Sequence, residues 1–477
     1  MLLKQFFIGK IAHSSYILAG KKTCAVIDPQ RDVDIYIDAA RDMDLKITHI
    51  LQTHLHADFV SGHIDLAEKT GATIFVAKSA GCAFDHVGLS DGDTIHLEDM
   101  ILNVLETPGH TPEHLSYVVI DTSRSESPVG VFVGDTLFVG DVGRPDLFPD
   151  ISNILAEKLF HSLHDKLLKL PDYVEVYPAH GAGSLCGRSM GAKRLTTIGY
   201  ERRFNSALQI SEKARFIRSL TQGMPAAPDH FRRCSTINQN GPARLGDLPA
   251  LNPLPVHLFK ERSETPDFMV VDIRGYHAFA GQHIKGAWHL DLNGNFPTFA
   301  GWVLPIDRKI LLVADDENKA EEAVRWTRRV GLDQISGQLE GGMIAWASAG
   351  LPTSRIGLIS TEDLHEMIIR HTRFVLLDVR APGEFADNHI EGAINIPVAE
   401  LRSRYTELNR EQPVVLICSS GNRSSLGASI LEQKGFSDLT NVAGGMSGYS
   451  AAGYIRECRA CVSQFGSNLL TESFGSE

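Results

Sequence analysis

Cysteine is scarce. Seven residues in 477, irregularly spaced, cannot build the disulfide framework of a secreted scaffold and suit a reducing compartment. No apolar run reaches membrane or signal length, since even the amino terminus, MLLKQFFIGKIAHSSYILAG, is broken by Lys4, Gln5, Lys10 and His13. Cations are outnumbered, 46 Lys and Arg against 58 Asp and Glu for a net charge of -12. They are also scattered, which argues against a nucleic-acid or acidic-membrane binder. These absences make a cytoplasmic enzyme of small-molecule chemistry the expectation, with no nucleic-acid and no membrane partner and with assembly into a homo-oligomer left open. The length exceeds one compact domain and predicts two to four.

From Lys46 to Ala77 the chain reads as strand (ITHILQT), loop (HLHADFVSG), helix (HIDLAEKTG, ending at Gly71) and strand (ATIFVA), a βαβ unit. ILNVLE (101–106), VGVFVG (129–134) and VEVYP (174–178) are further strands, each feeding a polar, glycine-containing loop. The stretch from Met190 to Leu220 reads as helical, and the Pro- and Gly-rich 225–255 region as a linker. Beyond it the sequence repeats. VVDIRGYHAFAGQHIKGAWHLDL (270–292) matches LLDVRAPGEFADNHIEGAINIPV (376–398), KILLVADDENK matches PVVLICSSGNR, and EGGMIAW (340–346) matches AGGMSGY (443–449). The expected boundaries are 1–240, 255–355 and 356–455, with a tail over 456–477. The tail's single pair, Cys458 and Cys461, lacks the second half of a zinc site and is left unassigned.

His54, His56 and Asp58 (THLHAD), His110 (TPGHTPEH), Asp135 (GDTLF) and His180 (YPAHG) all follow predicted strands. Open α/β folds gather their sites along the carboxyl ends of strands, so residues distant in sequence converge there. One such histidine alone is a capping or surface residue. This many imidazoles and carboxylates at strand ends point to a bound ion.

The pattern, over 1–240, resembles the metallo-β-lactamase superfamily, which implies an αββα sandwich with metal ligands on loops at the sheet edges. Two-metal hydrolases of that superfamily read H-x-H-x-D-H. Here Phe59 stands where the last His helps to hold the second ion, which counts against a dinuclear thioesterase of the glyoxalase II type. The similar persulfide dioxygenases hold one Fe(II) through two His and one Asp. Carried over, this implies His54, His110 and Asp135, a facial triad that leaves three positions for a persulfide sulfur and O₂. The resemblance makes His56, Asp58 and His180 orienting groups, with direct ligation by His56 as the alternative. It implies one Fe(II) per chain, with zinc ranked second.

Arg144, in GDVGRPDL (140–147), either anchors a substrate carboxylate or pairs with Asp146 to shape its loop. Glutathione-using members have Asp-Tyr after PAH, where this chain has Gly181 and Ala182, so the resemblance does not extend to glutathione as the thiol. Cys186, in GAGSLCG, is a candidate accessory thiol, with buried packing as its alternative.

In the second repeat, Cys418, Ser419, Ser420, Gly421, Asn422 and Arg423 lie between the strand PVVLI and a helix predicted to begin near Ser424. Backbone N–H groups and a helix amino terminus around a cysteine stabilise anionic sulfur, and Arg423 adds fixed positive charge. With DVR, EF, HIxGAxNIP and GGM around it, this loop strongly resembles rhodanese, the thiosulfate:cyanide sulfurtransferase fold. The resemblance implies Cys418 as the persulfide carrier, Arg423 as its cationic partner, and Ser419, Ser420, Gly421 and Asn422 as the substrate cradle. Asp378, Arg380 and His389 read as loop support. A phosphatase CX₅R loop is one residue longer, which favours sulfur. Position 314, aligned with Cys418, is Ala followed by DDENK. That acidic loop cannot carry a persulfide and would repel sulfite or thiosulfate, so the first repeat is expected to be a silent spacer or docking module.

Together the resemblances imply a multi-domain α/β chain: a metallo-β-lactamase-like persulfide dioxygenase domain, then a rhodanese-like domain without its cysteine, then an active one. The expected substrates are a low-molecular-weight persulfide and O₂, with sulfite or thiosulfate at Cys418. Two alternatives stand beside this reading. One is a zinc-dependent, glyoxalase II-like thioester hydrolase fused to a rhodanese; the other is a non-catalytic sulfur-delivery scaffold.

Overall fold

The computed structural model describes residues 1–224 and 226–455, so Cys458 and Cys461 lie outside the described residues. The chain divides into two compact units. One is Met1–Asn252 with Asn295–Lys309 and Glu321–Ser336; the other is Pro253–Gly294 with Ile310–Ala320 and the described residues from Gly337 onward.

The first unit is built on two six-stranded sheets. One contains β1 (Leu2–Ile8), β2 (His13–Ala19), β3 (Thr23–Ile27), β4 (Lys46–Leu51), β5 (Thr73–Ala77) and β6 (Val87–Leu89), side by side in chain order. The other contains β7 (Thr94–Leu97), β8 (Met100–Glu106), β9 (Leu115–Asp121), β10 (Pro128–Gly134), β11 (Glu175–Pro178) and β12 (Thr196–Thr197), also in chain order. Short loops join antiparallel neighbours such as β1/β2 and β8/β9. The parallel pairs β3/β4, β4/β5 and β10/β11 are instead connected through helices Asp34–Asp42, His63–Thr70 and Ser152–His161.

Period-two alternation sorts each strand between two cores. Tyr16 and Leu18 of β2 meet Leu102, Val104, Tyr117 and Phe132 of the facing sheet. Ile17 and Ala19 point the other way and pack with Tyr36, Ala39 and Leu66 of the covering helices. The second sheet buries Val131 and Val133 beneath Leu159 on its outer side. The layers are therefore helix, sheet, sheet, helix, as the resemblance implied.

Each half of the repeat forms a five-stranded sheet. β13 (Pro253–Leu254), β14 (Phe268–Asp272), β15 (Trp288–His289), β16 (Lys309–Val313) and β17 (Ile335–Leu339) are arranged β13-β17-β16-β14-β15. β18 (Gly357–Ile359), β19 (Val375–Asp378), β20 (Ile394–Asn395), β21 (Val414–Ile417) and β22 (Leu439–Val442) are arranged β18-β22-β21-β19-β20, the same order. The sequence repeat is a fold repeat, and its supports are duplicated too. Arg274 bonds Asp272 and the Gln282 carbonyl (2.7 Å), and Arg380 bonds Asp378 and the Asn388 carbonyl (2.6 Å). His283 and His389 each bond a phenylalanine carbonyl one helical turn back. Asp378, Arg380 and His389 thus brace loops, as expected.

Two expectations need correction. Residues 190–220 are not one helix: after irregular chain come β12 and helices Ile198–Phe204 and Lys213–Thr221. Asn205 breaks the run because its side chain bonds the Asp141 carbonyl, the Glu201 carboxylate and the Ala207 N–H, so it turns the backbone. The 225–255 linker contains helix His230–Asn240. Its buried residues Phe231, Cys234 and Asn238 recur at helical spacing, but the segment is too rich in Arg, Asn and Gln for its apolar stripe to stand out. Among the described residues no helix is long and apolar enough to cross a membrane.

That helix holds the loop after β4. Asn238 Nδ2 donates to the carbonyls of His56 (2.8 Å) and Phe59 (2.9 Å), and its Oδ1 accepts from the Ser61 N–H (2.8 Å). Asn238→Ala would leave three buried backbone groups unpaired, at a cost of about 2–4 kcal/mol. Faster amide hydrogen exchange confined to residues 52–62 is the expected result.

Candidate metal centre and sulfur-transfer loop

Each ligand-type residue lies in the loop that leaves a strand: His54, His56 and Asp58 after β4, His110 after β8, Asp135 after β10 and His180 after β11. His54, His110 and Asp135 are buried, with ligand atoms all within 4.8 Å of one another. His54 Nε2 is 3.7 Å and His110 Nε2 3.4 Å from Asp135 Oδ2, and neither nitrogen has a hydrogen-bond partner.

Hydrogen bonds on the far side of each ring place its proton. Thr53 Oγ1 donates to Asp28 Oδ2 (2.8 Å) and therefore accepts from His54 Nδ1–H (2.9 Å). The Arg144 carbonyl accepts from His110 Nδ1–H (2.9 Å). Both Nε2 atoms then carry lone pairs directed at a carboxylate oxygen. Three acceptors facing one another in a buried space repel unless a cation sits among them, so this donor set fits a divalent metal. Burial holds both imidazoles below their ordinary pKa and keeps them neutral, as metal binding requires.

His180 neutralises the acidic side of the centre. Its Nδ1 lies 2.7 Å from Asp135 Oδ1 and its Nε2 2.9 Å from Asp58 Oδ2. Burial opposes its charge, but the two carboxylates prevail and raise its pKa well above the ordinary value. Burial likewise pushes Asp135 up, and the imidazoles, His180 foremost, more than reverse it. His56, Asp58 and His180 form a second buried group with ligand atoms within 4.8 Å. Beside it, where another imidazole would complete a second site, the fully buried Phe59 ring packs on His13 (4.1 Å between centroids) and His56 (4.5 Å).

Cys186 is fully buried and groups with Asp135 and His180, and burial, reinforced by the carboxylates, drives its thiol pKa well up. Arg144 is buried and engaged: Nε and Nη2 bond Asp146 (2.7 and 2.6 Å) and Nη1 the Leu185 carbonyl (3.3 Å). Of its two expected roles, the structure displays the loop-shaping one.

Cys418 sits directly after β21, with helix Asn422–Gln433 beginning four residues on. Its Sγ accepts from the Gly421 N–H (3.1 Å) and the Ser424 hydroxyl (3.2 Å). Arg423 does not reach freely into the loop: it forms a bidentate pair with Glu384 (2.6 and 2.7 Å) and bonds Ser419 Oγ (2.6 Å). Gly445 has φ +53°, and a Cβ there would lie 2.2 Å from the Cys418 carbonyl oxygen, so the GGM glycine is needed for close backbone approach. From the first repeat, the Tyr276 ring closes on Gly421, where a Cβ would lie 2.9 Å from it.

The metallo-beta-lactamase superfamily model matches residues 8–180, and the rhodanese-like domain model matches 256–349 and 360–452. A mitochondrial persulfide dioxygenase of Bos taurus is 30% identical over 220 residues, covering 44% of this chain and 77% of that protein. A hydroxyacylglutathione hydrolase of Pseudomonas entomophila is also 30% identical, covering 46% and 80%. The crystal structure of a metallo-beta-lactamase from Staphylococcus aureus is similar, 34% identical with a TM-score of 0.64, covering 71% of this chain and 98% of that one. The chain belongs to the metallo-β-lactamase superfamily. It carries two rhodanese-like domains in addition.

The metallo-β-lactamase domain brings together all six sequence-chosen His and Asp residues, and Cys186 with them. Sequence reasoning missed Asp28 and Thr53, which set the His54 proton, and His114, which stacks on His54 (4.8 Å between centroids) and accepts the Asp135 N–H at Nε2 (3.0 Å). It also missed His13, buried with both ring nitrogens unpartnered. His114 was within the TPGHTPEH segment, so its signal was present; Asp28 and His13 carry none. In the second rhodanese domain the missed residue is Glu384, and the loop-closing helix begins at Asn422, two residues early.

Thr53→Val keeps the shape but removes the hydroxyl that fixes the His54 tautomer. Metal affinity is expected to fall roughly 10- to 100-fold in a chelator competition. Glu384 is held at about 2, against an ordinary 4.5, by its Arg423 hydrogen bonds. The pair's stabilisation is therefore complete above pH 4.5 and is lost as pH falls toward 2. Glu384→Gln is expected to flatten the pH dependence of melting across that window and to slow cyanide-dependent sulfur transfer at pH 7 by roughly 10- to 100-fold.

Proposed function

We propose that this chain is a persulfide dioxygenase and a sulfurtransferase. At His54, His110 and Asp135 the reaction is R–S–SH + O₂ + H₂O → R–SH + H₂SO₃. At Cys418, sulfane sulfur carried as a cysteine persulfide passes to sulfite to give thiosulfate, or is loaded from thiosulfate in reverse. The observation that carries the reading is the donor set itself: two imidazole lone pairs and one carboxylate converge, and Phe59, fully buried, stands where the two-metal motif has its last histidine.

Iron(II), held by His54, His110 and Asp135, would leave positions open to the persulfide sulfur and to O₂ together and would mediate the passage of electrons from the sulfur, which is oxidised, to O₂. The protein's own residues do the rest. Thr53 and the Arg144 carbonyl hold two rings in their binding tautomers, and His180, which bridges Asp135 and Asp58, keeps Asp135 ionised. Asp146 retains Arg144, which shapes the 140–147 loop. Cys186, kept protonated by burial, serves as a neutral thiol donor beside Asp135 rather than as a thiolate relay.

At the second site, Gly421 and Ser424 donate to the Cys418 sulfur and stabilise it as leaving group and nucleophile. Arg423, aimed by Glu384, supplies the charge that attracts sulfite, while Ser419, Ser420 and Asn422 line the cradle. Ala314 removes this chemistry from the first rhodanese-like domain.

The likeness to hydroxyacylglutathione hydrolase favours one rival, thioester hydrolysis at the same centre. Anaerobically purified protein reconstituted separately with Fe(II) and Zn(II) distinguishes them. Iron-dependent O₂ uptake with glutathione persulfide or coenzyme A persulfide, releasing sulfite and lost in Asp135→Ala, is expected. Cleavage of lactoylglutathione with no O₂ uptake under either metal would replace the reading. Cys418→Ser is expected to abolish thiosulfate:cyanide transfer; unchanged transfer would remove the second half of the proposal.

A further inference from the structure

The first unit contains a cavity of about 590 Å³. Its wall includes Leu55, Ala57 and Thr111, residues interleaved with or adjacent to His54, His56, Asp58 and His110, so cavity and metal centre share the same loops. Its size lies within the roughly 300–1,000 Å³ of small-molecule sites. Hydrogen persulfide itself would fill only about two water volumes, ~60 Å³. The space suits an organic carrier.

Helix His230–Asn240 forms the cavity's other side. Cys234 and Asn238 turn into the protein and Phe231 gives the wall an apolar face, whereas the polar residues Arg232, Ser235, Thr236 and Gln239 line the cavity at i, i+3, i+4 and i+7. Three of these four are already committed. The Thr236 hydroxyl donates to the Arg232 carbonyl (2.9 Å), Gln239 Nε2 to the Ala80 carbonyl (2.7 Å) and Ser235 to the Leu55 carbonyl (3.5 Å). The Arg232 guanidinium has no ion-pair or hydrogen-bond partner among the described residues, unlike Arg31, Arg144, Arg329 and Arg423. Of the acidic residues lining the cavity, Glu113 accepts from the Leu55 N–H (2.9 Å) and Asp150 is exposed. An uncommitted guanidinium on a small-molecule cavity is a ready partner for carboxylate or phosphate.

We propose that this cavity binds the thiol carrier of the persulfide and that Arg232 pairs with an anionic group of that carrier, a carboxylate or a phosphate. The proposal rests on the persulfide reading for its substrate, but binding can be measured without turnover. S-methylglutathione offers carboxylates and S-methyl-coenzyme A offers phosphates, and neither carries a persulfide to oxidise. Isothermal titration of each into the Fe(II)-reconstituted full chain is the test. Arg232→Ala is expected to weaken binding roughly 10- to 100-fold and Arg232→Lys by less. A loss confined to S-methylglutathione identifies a carboxylate, and one confined to S-methyl-coenzyme A a phosphate.

Binding of both analogues within twofold of wild type in Arg232→Ala would overturn the proposal, as would failure of both to bind wild-type protein. Arg232 is exposed, and an unchanged melting temperature identifies any loss as one of binding. If analogues bind through Arg232 yet no persulfide drives O₂ uptake, the carrier site stands and the oxygenase reading fails.

Discussion

A buried carboxylate that must be shared governs the metal centre. Asp135 faces His54 and His110 through Oδ2, while His180 Nδ1 lies within hydrogen-bond distance of both its oxygens (2.7 and 2.9 Å), with no water-exposed surface to dilute the charge. In such surroundings a carboxylate is tolerated only with opposite charge nearby. His180 provides part of it by bridging to Asp58, and the lone-pair face toward His54 and His110 is complete only with a cation. The surrounding devices follow from this constraint: Asp28 behind Thr53 behind His54, the Arg144 carbonyl behind His110, His114 under the Asp135 backbone, and Gly134 at φ +49°, where any Cβ would meet the His114 ring.

The two rhodanese-like domains separate fold from chemistry. Strand order, the Asp–Arg clamp and the His–Phe carbonyl bond occur in both, because each braces the same loop-to-helix connection. Only the second has the sulfur and its donors. Glu432 joins the two within their unit, accepting from the Gly286 N–H (3.1 Å) and lying 3.2 Å from His283 Nε2. The first domain also sets Tyr276 against Gly421 of the active loop. A copy without a cysteine therefore still shapes the surroundings of Cys418.

Much of this was legible beforehand, and for physical reasons. Strands that feed glycine-containing loops announce themselves by apolar runs, so the six His and Asp residues at their ends stand out. Phe59 could be read as a missing ligand because the motif around it is contiguous. Cys418 and Ala314 could be compared because the repeat aligns without gaps through the strand and loop that contain them. Helix His230–Asn240 was hidden because its inward face uses Asn238, a polar residue whose value lies in three backbone bonds to a loop some 180 positions earlier. Likewise Glu384, 39 positions before Arg423, has no local mark of its partnership.

The sequence by itself determined the residue types that can bind metal or carry sulfur, the strands that present them, the duplication, and which copy lacks the loop cysteine. These depend on local periodicity and on side-chain chemistry, both written in consecutive residues. Tertiary structure decided where the protons reside, which arginines are committed to partners, and how the ligand loops are anchored. Those properties depend on the acceptor that lies across the fold, such as Asp28 for Thr53 or Glu384 for Arg423, and distance in space between such groups has no counterpart in their spacing along the chain.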